Sequence, residues 1–217
     1  MPESDTVTAL KPTQRDPTRV MVRLGKRVAA TLPREVVADL DIEVGTPWTE
    51  NLAARIAEAV DFDKALRYCL NALGRRALSS GELVDRMRRR GHGGDVADAV
   101  VERLRERRLI DDRAYGESVI RAERARKPVA SRFLRAKLRQ KRLPAELVDE
   151  LVRESEGGQD DVAEARKLAE ARLRSPTLRK AEAQARRRRL WGILARRGFD
   201  SDVIRQALAG LLDEDEA

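Results

Sequence analysis

The sequence predicts a mainly α-helical protein: three tandem three-helix repeats in an elongated, curved array, preceded by a small α+β module built on a β-hairpin. Three observations predict it. Apolar residues recur at helical spacing from about residue 62 to 212, one set of apolar positions returns three times in register, and strand-like alternation is confined to the residues before Pro33. Composition agrees. Hydrophobic residues make up 41% of the 217, charged residues 38%, and the aromatics are only two Trp, two Tyr and three Phe. A core made mostly of Leu, Val, Ile and Ala suits thin helical modules better than one thick sandwich.

Residues 1–17, rich in Pro, Thr and Asp without periodicity, read as a disordered arm. From Thr18 the texture changes. Val20, Val22 and Leu24 alternate with Met21 and Arg23, Gly25-Lys26 makes a turn, and residues 28–32 return as a second strand. Pro33 then suits the first turn of a short helix reaching Leu40. Gly45-Thr46-Pro47 breaks the chain, and Thr49 or Asn51 can cap a helix to about Ala59. The resulting module, residues 18–60, is marginal in size for independent stability and is expected to pack on the helices C-terminal to it.

The repeat is the strongest signal. Adding 51 carries Leu83, Met87, His92, Val96 and Val100 to Leu134, Leu138, Leu143, Leu147 and Leu151; a further 56 reaches Leu190, Leu194, Phe199, Val203 and Ala207. The i,i+4 pairs at each end put apolar residues on one face of two helices, and the step of five between them spans a tight turn. Gly91 and Gly198 fall at that turn, where a helix C-terminus favours positive φ; the middle copy has Arg142. Asp95, Glu146 and Asp202 come next, in the first turn of each third helix, where acids favour the dipole. First helices are expected near 62–73, 113–124 and 162–174. The repeats are therefore 61–110, 111–153 and 154–212, the last opening on a Gly157-Gly158 linker, with 213–217 an acidic tail.

Charge points to the kind of partner. The net charge is +8, from 45 basic and 37 acidic residues, and the pI is about 10.1. The bases cluster rather than intersperse, which favours a polyanion, nucleic acid or an acidic protein groove, through counterion release. Cys69, the single cysteine, sits among Leu66, Leu70 and Leu73 and reads as a buried thiol. With one cysteine and one histidine, neither a disulfide nor a metal site is expected, and no cofactor. No segment resembles a signal peptide or a membrane span, so a cytoplasmic protein is expected.

The second repeat carries the run Leu109-Ile110-Asp111-Asp112-Arg113-Ala114-Tyr115, then Arg121, Arg124, Lys127, Arg132, Leu134, Leu138 and Lys141. The first has Ala65-Leu66, Leu73, Arg76 and Ser79-Ser80-Gly81-Glu82-Leu83; the third has Arg187-Arg188-Arg189-Leu190 with residues 194–199. In order and at repeat spacing, over more than two thirds of the chain, these residues resemble the RecX family. Two departures touch loop geometry rather than charge: Pro128 stands where the family has glycine, and Lys141-Arg142 where it has Lys-Gly. The resemblance implies a non-enzymatic modulator of the RecA recombinase. Such proteins bind in the groove of the RecA filament on single-stranded DNA and suppress its growth, ATP hydrolysis and strand exchange. The implied partners are the RecA filament and single-stranded DNA, with duplex DNA a further ligand, and the chain is expected to be a monomer.

Candidate contact residues emerge from the spacing of the charges. Arg132, Arg135, Arg139 and Arg142, spaced 3, 4 and 3, form one basic stripe about 100° or more around the helix from Leu134 and Leu138. At 1.5 Å per residue the stripe is ~15 Å long, enough to track two or three phosphates or a row of carboxylates. Arg121, Arg124, Arg126 and Lys127 end the preceding helix, and Glu123 is the one acid between Arg121 and Arg142. Lys141 and the run Arg187, Arg188 and Arg189 complete the set; Arg86, Arg88, Arg89 and Arg90 repeat the theme in the first copy. A solvated amphipathic face is the plain alternative for any single arginine. Trp191 reads as core packing rather than base stacking, His92 as a packing or loop residue, and Asp111 and Asp112 as helix caps. A direct duplex-DNA reader of helix-turn-helix type is the rival function. It would need base-reading side chains on third helices, where only Arg205 and Gln206 are evident.

Overall fold

The computed structural model describes residues 5–126, 128–156, 161–209 and 211. Three strands open the chain, β1 (Ala9–Pro12), β2 (Arg19–Leu24) and β3 (Arg27–Pro33), in an antiparallel sheet of order β1-β2-β3. β2 shows the expected alternation, with Val20, Val22 and Leu24 buried and the residues between them half-exposed. Gly25, at φ +59°, makes the turn. The expectation of a disordered arm over residues 1–17 fails where the chain is described. Ala9–Pro12 pairs with residues 20–23, Val7 is buried, and Val7 N–H donates to the Thr46 carbonyl at 2.9 Å. A four-residue edge strand ending in proline is too short for alternation to show in sequence.

The module continues with α1 (Arg34–Asp39) and then α2 (Glu50–Leu73), whose first turn is capped by Thr49 Oγ1 accepting Leu52 N–H at 3.2 Å. In place of the two helices expected here there is one. No glycine or proline interrupts residues 50–73, so the helix runs on for 24 residues, ~36 Å. Its first half gives Leu52 and Ile56 to the core of the module; its second half gives Ala65, Cys69 and Ala72 to the first repeat. The boundary expected between residues 60 and 61 therefore falls inside a helix. Arg19 fixes the junction. Its guanidinium donates to both Asp63 carboxylate oxygens, at 2.9 and 2.7 Å, and to the Thr31 carbonyl at 3.0 Å, with the paired side chains only 13% and 12% exposed.

Three three-helix repeats come next. The second half of α2 with α3 (Ser80–Arg88) and α4 (Gly94–Glu106) makes the first; α5 (Asp112–Arg126), α6 (Ser131–Gln140) and α7 (Ala145–Glu156) make the second. In the third, a one-turn helix α9 (Pro176–Arg179) separates α8 (Asp161–Leu173) from α10 (Ala183–Ala195) and α11 (Ser201–Leu208). The chain divides into two compact units, one of residues up to 77 with 83–109, the other of 78–82 with the residues from 110 onward.

The repeated apolar skeleton is present, with one shift. Leu83 and Met87, Leu134 and Leu138, and Leu190 and Leu194 are fully buried on the second helices. On the third helices Val96, Leu147 and Val203 are only half-buried, while their successors Ala97, Val148 and Ile204 are buried. The buried arc there is 97/100/101, 148/151/152 and 204/207/208, one residue later than the pattern predicts at its N-terminal end. Against this arc each first helix presents a small residue: Ala65, Gly116 or Ala165, all buried. A Cβ on Gly116 would stand 2.4 Å from Leu151 Cδ1, so the close approach of α5 and α7 requires glycine.

The turn between second and third helices is the same in every repeat. His92 N–H donates to the Met87 carbonyl at 3.2 Å, Leu143 N–H to Leu138 at 3.4 Å, and Phe199 N–H to Leu194 at 3.3 Å, the long bond of a Schellman cap. The residue before each donor has positive φ: Gly91 at 86°, Gly198 at 84°, and Arg142 at 58° without glycine's freedom.

Candidate binding surface

Within the second unit a joint between repeats recurs as faithfully as the repeats. Ser79 Oγ donates to the Lys141 carbonyl, and Ala130, its equivalent 51 residues on, donates its N–H to the Arg197 carbonyl at 3.3 Å. Lys141 and Arg197 are themselves equivalent, 56 residues apart, each in a Schellman turn. The approach is close at both joints. A Cβ on Gly81 would lie 2.1 Å from the Arg142 carbonyl oxygen, and one on Gly198 3.0 Å from Phe133 Cβ. Ser79 and Glu82 also close a capping box, Glu82 N–H to Ser79 Oγ at 3.0 Å and Ser79 N–H to Glu82 Oε2 at 3.3 Å. Tyr115 donates its hydroxyl to that carboxylate at 3.1 Å.

The Asp111-Asp112 pair divides its work. Asp111 caps α5, accepting Ala114 N–H at 2.9 Å, as expected. Asp112 does something else. It accepts Ser80 N–H at 2.8 Å and the Ser80 hydroxyl, holding residues 78–82 against α5. Its expected capping role is corrected accordingly. Arg113, next in the chain, grips Glu150 and Glu154 of α7, the latter at 2.8 Å, and Glu154 with Glu150 holds its guanidinium pKa above the usual value.

The basic stripe lies on α6, but shorter than expected. The helix ends at Gln140, so Arg142 sits in the left-handed turn and does not extend the row. Arg132 to Arg139 is seven residue steps, ~10 Å. Arg132 pairs with Asp200 at 3.0 Å, and Arg135 with Asp149 at 3.2 Å. Arg132 and Asp200 are 78% and 67% exposed, and such pairs contribute roughly 0–1 kcal/mol, so Arg132 can exchange its carboxylate for another anion, whereas Arg135 is half-buried. Arg139 is exposed with no ion pair among the described residues. On α5, Arg121 is exposed beside Glu117 at 3.7 Å, whereas Arg124 turns back to the Ser155 carbonyl and ties α5 to the end of α7. Lys127 lies outside the described residues. Lys141 gives its carbonyl to the joint and keeps a half-buried side chain. Arg187, Arg188 and Arg189 sit on α10, and all three are exposed. Glu123 is nearly buried and faces Lys137 at 3.4 Å, so the one acid of this stretch is spent on a lysine outside the candidate set.

Other expectations resolve similarly. Trp191 and Phe199 belong to the core of the third repeat, and His92 Nδ1 lies 2.8 Å from Asp61. Cys69 is fully buried, which pushes its thiol up to about 11. A groove of about 920 Å³ between α1, α2 and α4 is floored by Phe62, Leu66 and Val96. It is rimmed by both Arg55 and Arg67 and Glu35 and Glu58, so its charge does not complement a polyanion. Among the described residues no cluster of His, Cys, Asp or Glu is arranged for a metal, and no helix is long and apolar enough to cross a membrane.

Small helical repeats joined by one recurring contact and carrying exposed basic residues define a helical-repeat protein. Comparison with known proteins gives the family. Residues 65–104 match the family model described as RecX, first three-helix domain, and residues 159–208 that described as RecX, third three-helix domain. The chain is 34% identical over 152 residues to the regulatory protein RecX of Prosthecochloris aestuarii, covering 70% of this chain and 96% of that one. It is 33% identical to that of Mycolicibacterium vanbaalenii over 155 residues, 68% of this chain and 84% of the relative. In fold it is similar to a crystal structure of regulatory protein RecX, with a TM-score of 0.71 at 22% identity over 92% of this chain and 97% of that one. The chain belongs to the RecX family.

Proposed function

We propose that this protein is a negative regulator of the RecA recombinase. It binds along the groove of the RecA–single-stranded DNA filament and slows filament growth, ATP hydrolysis and strand exchange, acting by occupancy rather than catalysis in the cytoplasm. The observation that carries the reading is family membership spanning nearly the whole length of a relative, together with a basic face on which the Arg132–Asp200 pair is exposed and exchangeable. In this reading Arg121, Arg132, Arg135, Arg139 and the run Arg187 to Arg189 meet phosphates or filament carboxylates. Arg124 and Lys141 support the surface through backbone carbonyls.

The duplex-reading alternative rests on Arg205 and Gln206 alone, and Arg205 forms an exposed, exchangeable pair with Asp202 of its own helix at 2.9 Å. A gel-shift comparison of RecA-coated single strand, bare single strand and random duplex separates the two. Preference for the coated strand is expected; equal or tighter binding to duplex would favour the rival. Replacing Arg132, Arg135 and Arg139 together by alanine should weaken inhibition of the DNA-dependent RecA ATPase, and full inhibition by the folded triple variant would remove these residues from the contact.

A further inference from the structure

The basic residues of the first repeat are arranged differently from those of the second. Tyr68 is half-buried on α2, and the Arg90 guanidinium carbon lies over its ring, 4.1 Å from the centroid. The turn after α3 places Arg90 there: its N–H donates to the Met87 carbonyl at 2.9 Å, and Gly91 at φ +86° reverses the chain. Arg88, Arg89 and Arg90 are exposed, Arg86 is half-buried, and none has an ion pair among the described residues. Asp61, the α2 acid that reaches this turn, is engaged by His92.

We infer that Tyr68 and Arg90 form a stacking platform for a nucleobase of single-stranded nucleic acid, with Arg86, Arg88 and Arg89 tracking the adjoining phosphates. A guanidinium laid on an aromatic ring is already ordered. Its outer face is flat, cationic and weakly hydrated, which suits a base, and its edge still donates to phosphate oxygens. Arg90, and after it Arg86, also hold the Tyr68 hydroxyl below the usual phenol range, as expected where two cations converge without a counter-ion. Protein carboxylates would satisfy the charges but leave the stacked face unused, and the absence of neighbouring ion pairs leaves all four arginines available to a strand. The inference shares with the proposed function the premise that nucleic acid is a ligand, but it stands on a different surface.

The test uses the full-length chain without RecA. Binding of a labelled oligothymidine and of an abasic oligonucleotide of equal length is followed by fluorescence anisotropy at several salt concentrations. The wild type should prefer the strand with bases by about tenfold, the order expected for one stacked base. Arg90→Lys, at an exposed position, should lose most of that preference while keeping the salt slope, because the charge remains and the flat face does not. Tyr68→Ala should behave alike and Tyr68→Phe should retain the preference. An undiminished preference in Arg90→Lys, or none in the wild type, overturns the inference. So does a loss confined to RecA inhibition, which would assign the cluster to protein carboxylates. A wild type that leaves RecA untouched but prefers bases sinks the regulatory reading and leaves this one standing.

Discussion

Arg19 and Asp63 decide how firmly the N-terminal module is joined to the first repeat. Both side chains are nearly buried and the pair is bidentate, so removing one partner leaves an uncompensated charge. Asp63→Ala should cost about 3 kcal/mol in urea unfolding; a loss within experimental error would mean that the apolar core of the module alone secures it. Arg142 is the opposite case. It holds φ +58° where the other two repeats have glycine, a conformation that penalises any Cβ. Arg142→Gly should therefore raise stability by up to about 1 kcal/mol, read as a higher melting temperature. This strain is visible in the sequence, since the register puts Arg142 under two glycines. The Arg19–Asp63 pair is not: 44 residues separate the partners, and an alternating strand gives no sign of which charge it turns toward a helix.

At the scale of elements, periodicity locates nearly every helix and fails at specific ends. The helix running from Glu50 to Leu73 looks like two in sequence because capping signals mark starts, whereas nothing marks the uninterrupted passage of a helix from one core to another. β1 escapes because its order comes from pairing with β2. The third-helix face appears one residue early at its N-terminal end because half-buried Val96, Leu147 and Val203 are more conspicuous than Ala97. The small residue facing each third helix can be found only by aligning first helices, where Ala65, Gly116 and Ala165 coincide. Gly116→Val would drive a branched side chain into Leu151 and should cost about 1–3 kcal/mol or more. Ser79→Ala removes a cap and the side-chain bond of the first joint; a loss of about 1–2 kcal/mol is expected from denaturation of the full chain.

For the molecule as a whole, one chain serves two ends. The apolar skeleton and the joint between repeats are copied, while the charges on the copies diverge: paired and exchangeable on α6, a run of arginines on α10, and stacked on tyrosine after α3. Family and architecture are legible because the skeleton repeats; the division of the arginines into gripping, exchangeable and structural is not, because it depends on acids from other helices. Contacts with phosphates make binding fall with salt, and the triple arginine variant should flatten that dependence by about two units of slope if all three meet a single strand. The most direct test of the account is a titration of the single-strand-dependent ATPase of RecA with this protein. Progressive suppression of hydrolysis, relieved as salt rises, is expected; hydrolysis unchanged across the titration, with the chain shown to be folded, would contradict a regulatory role.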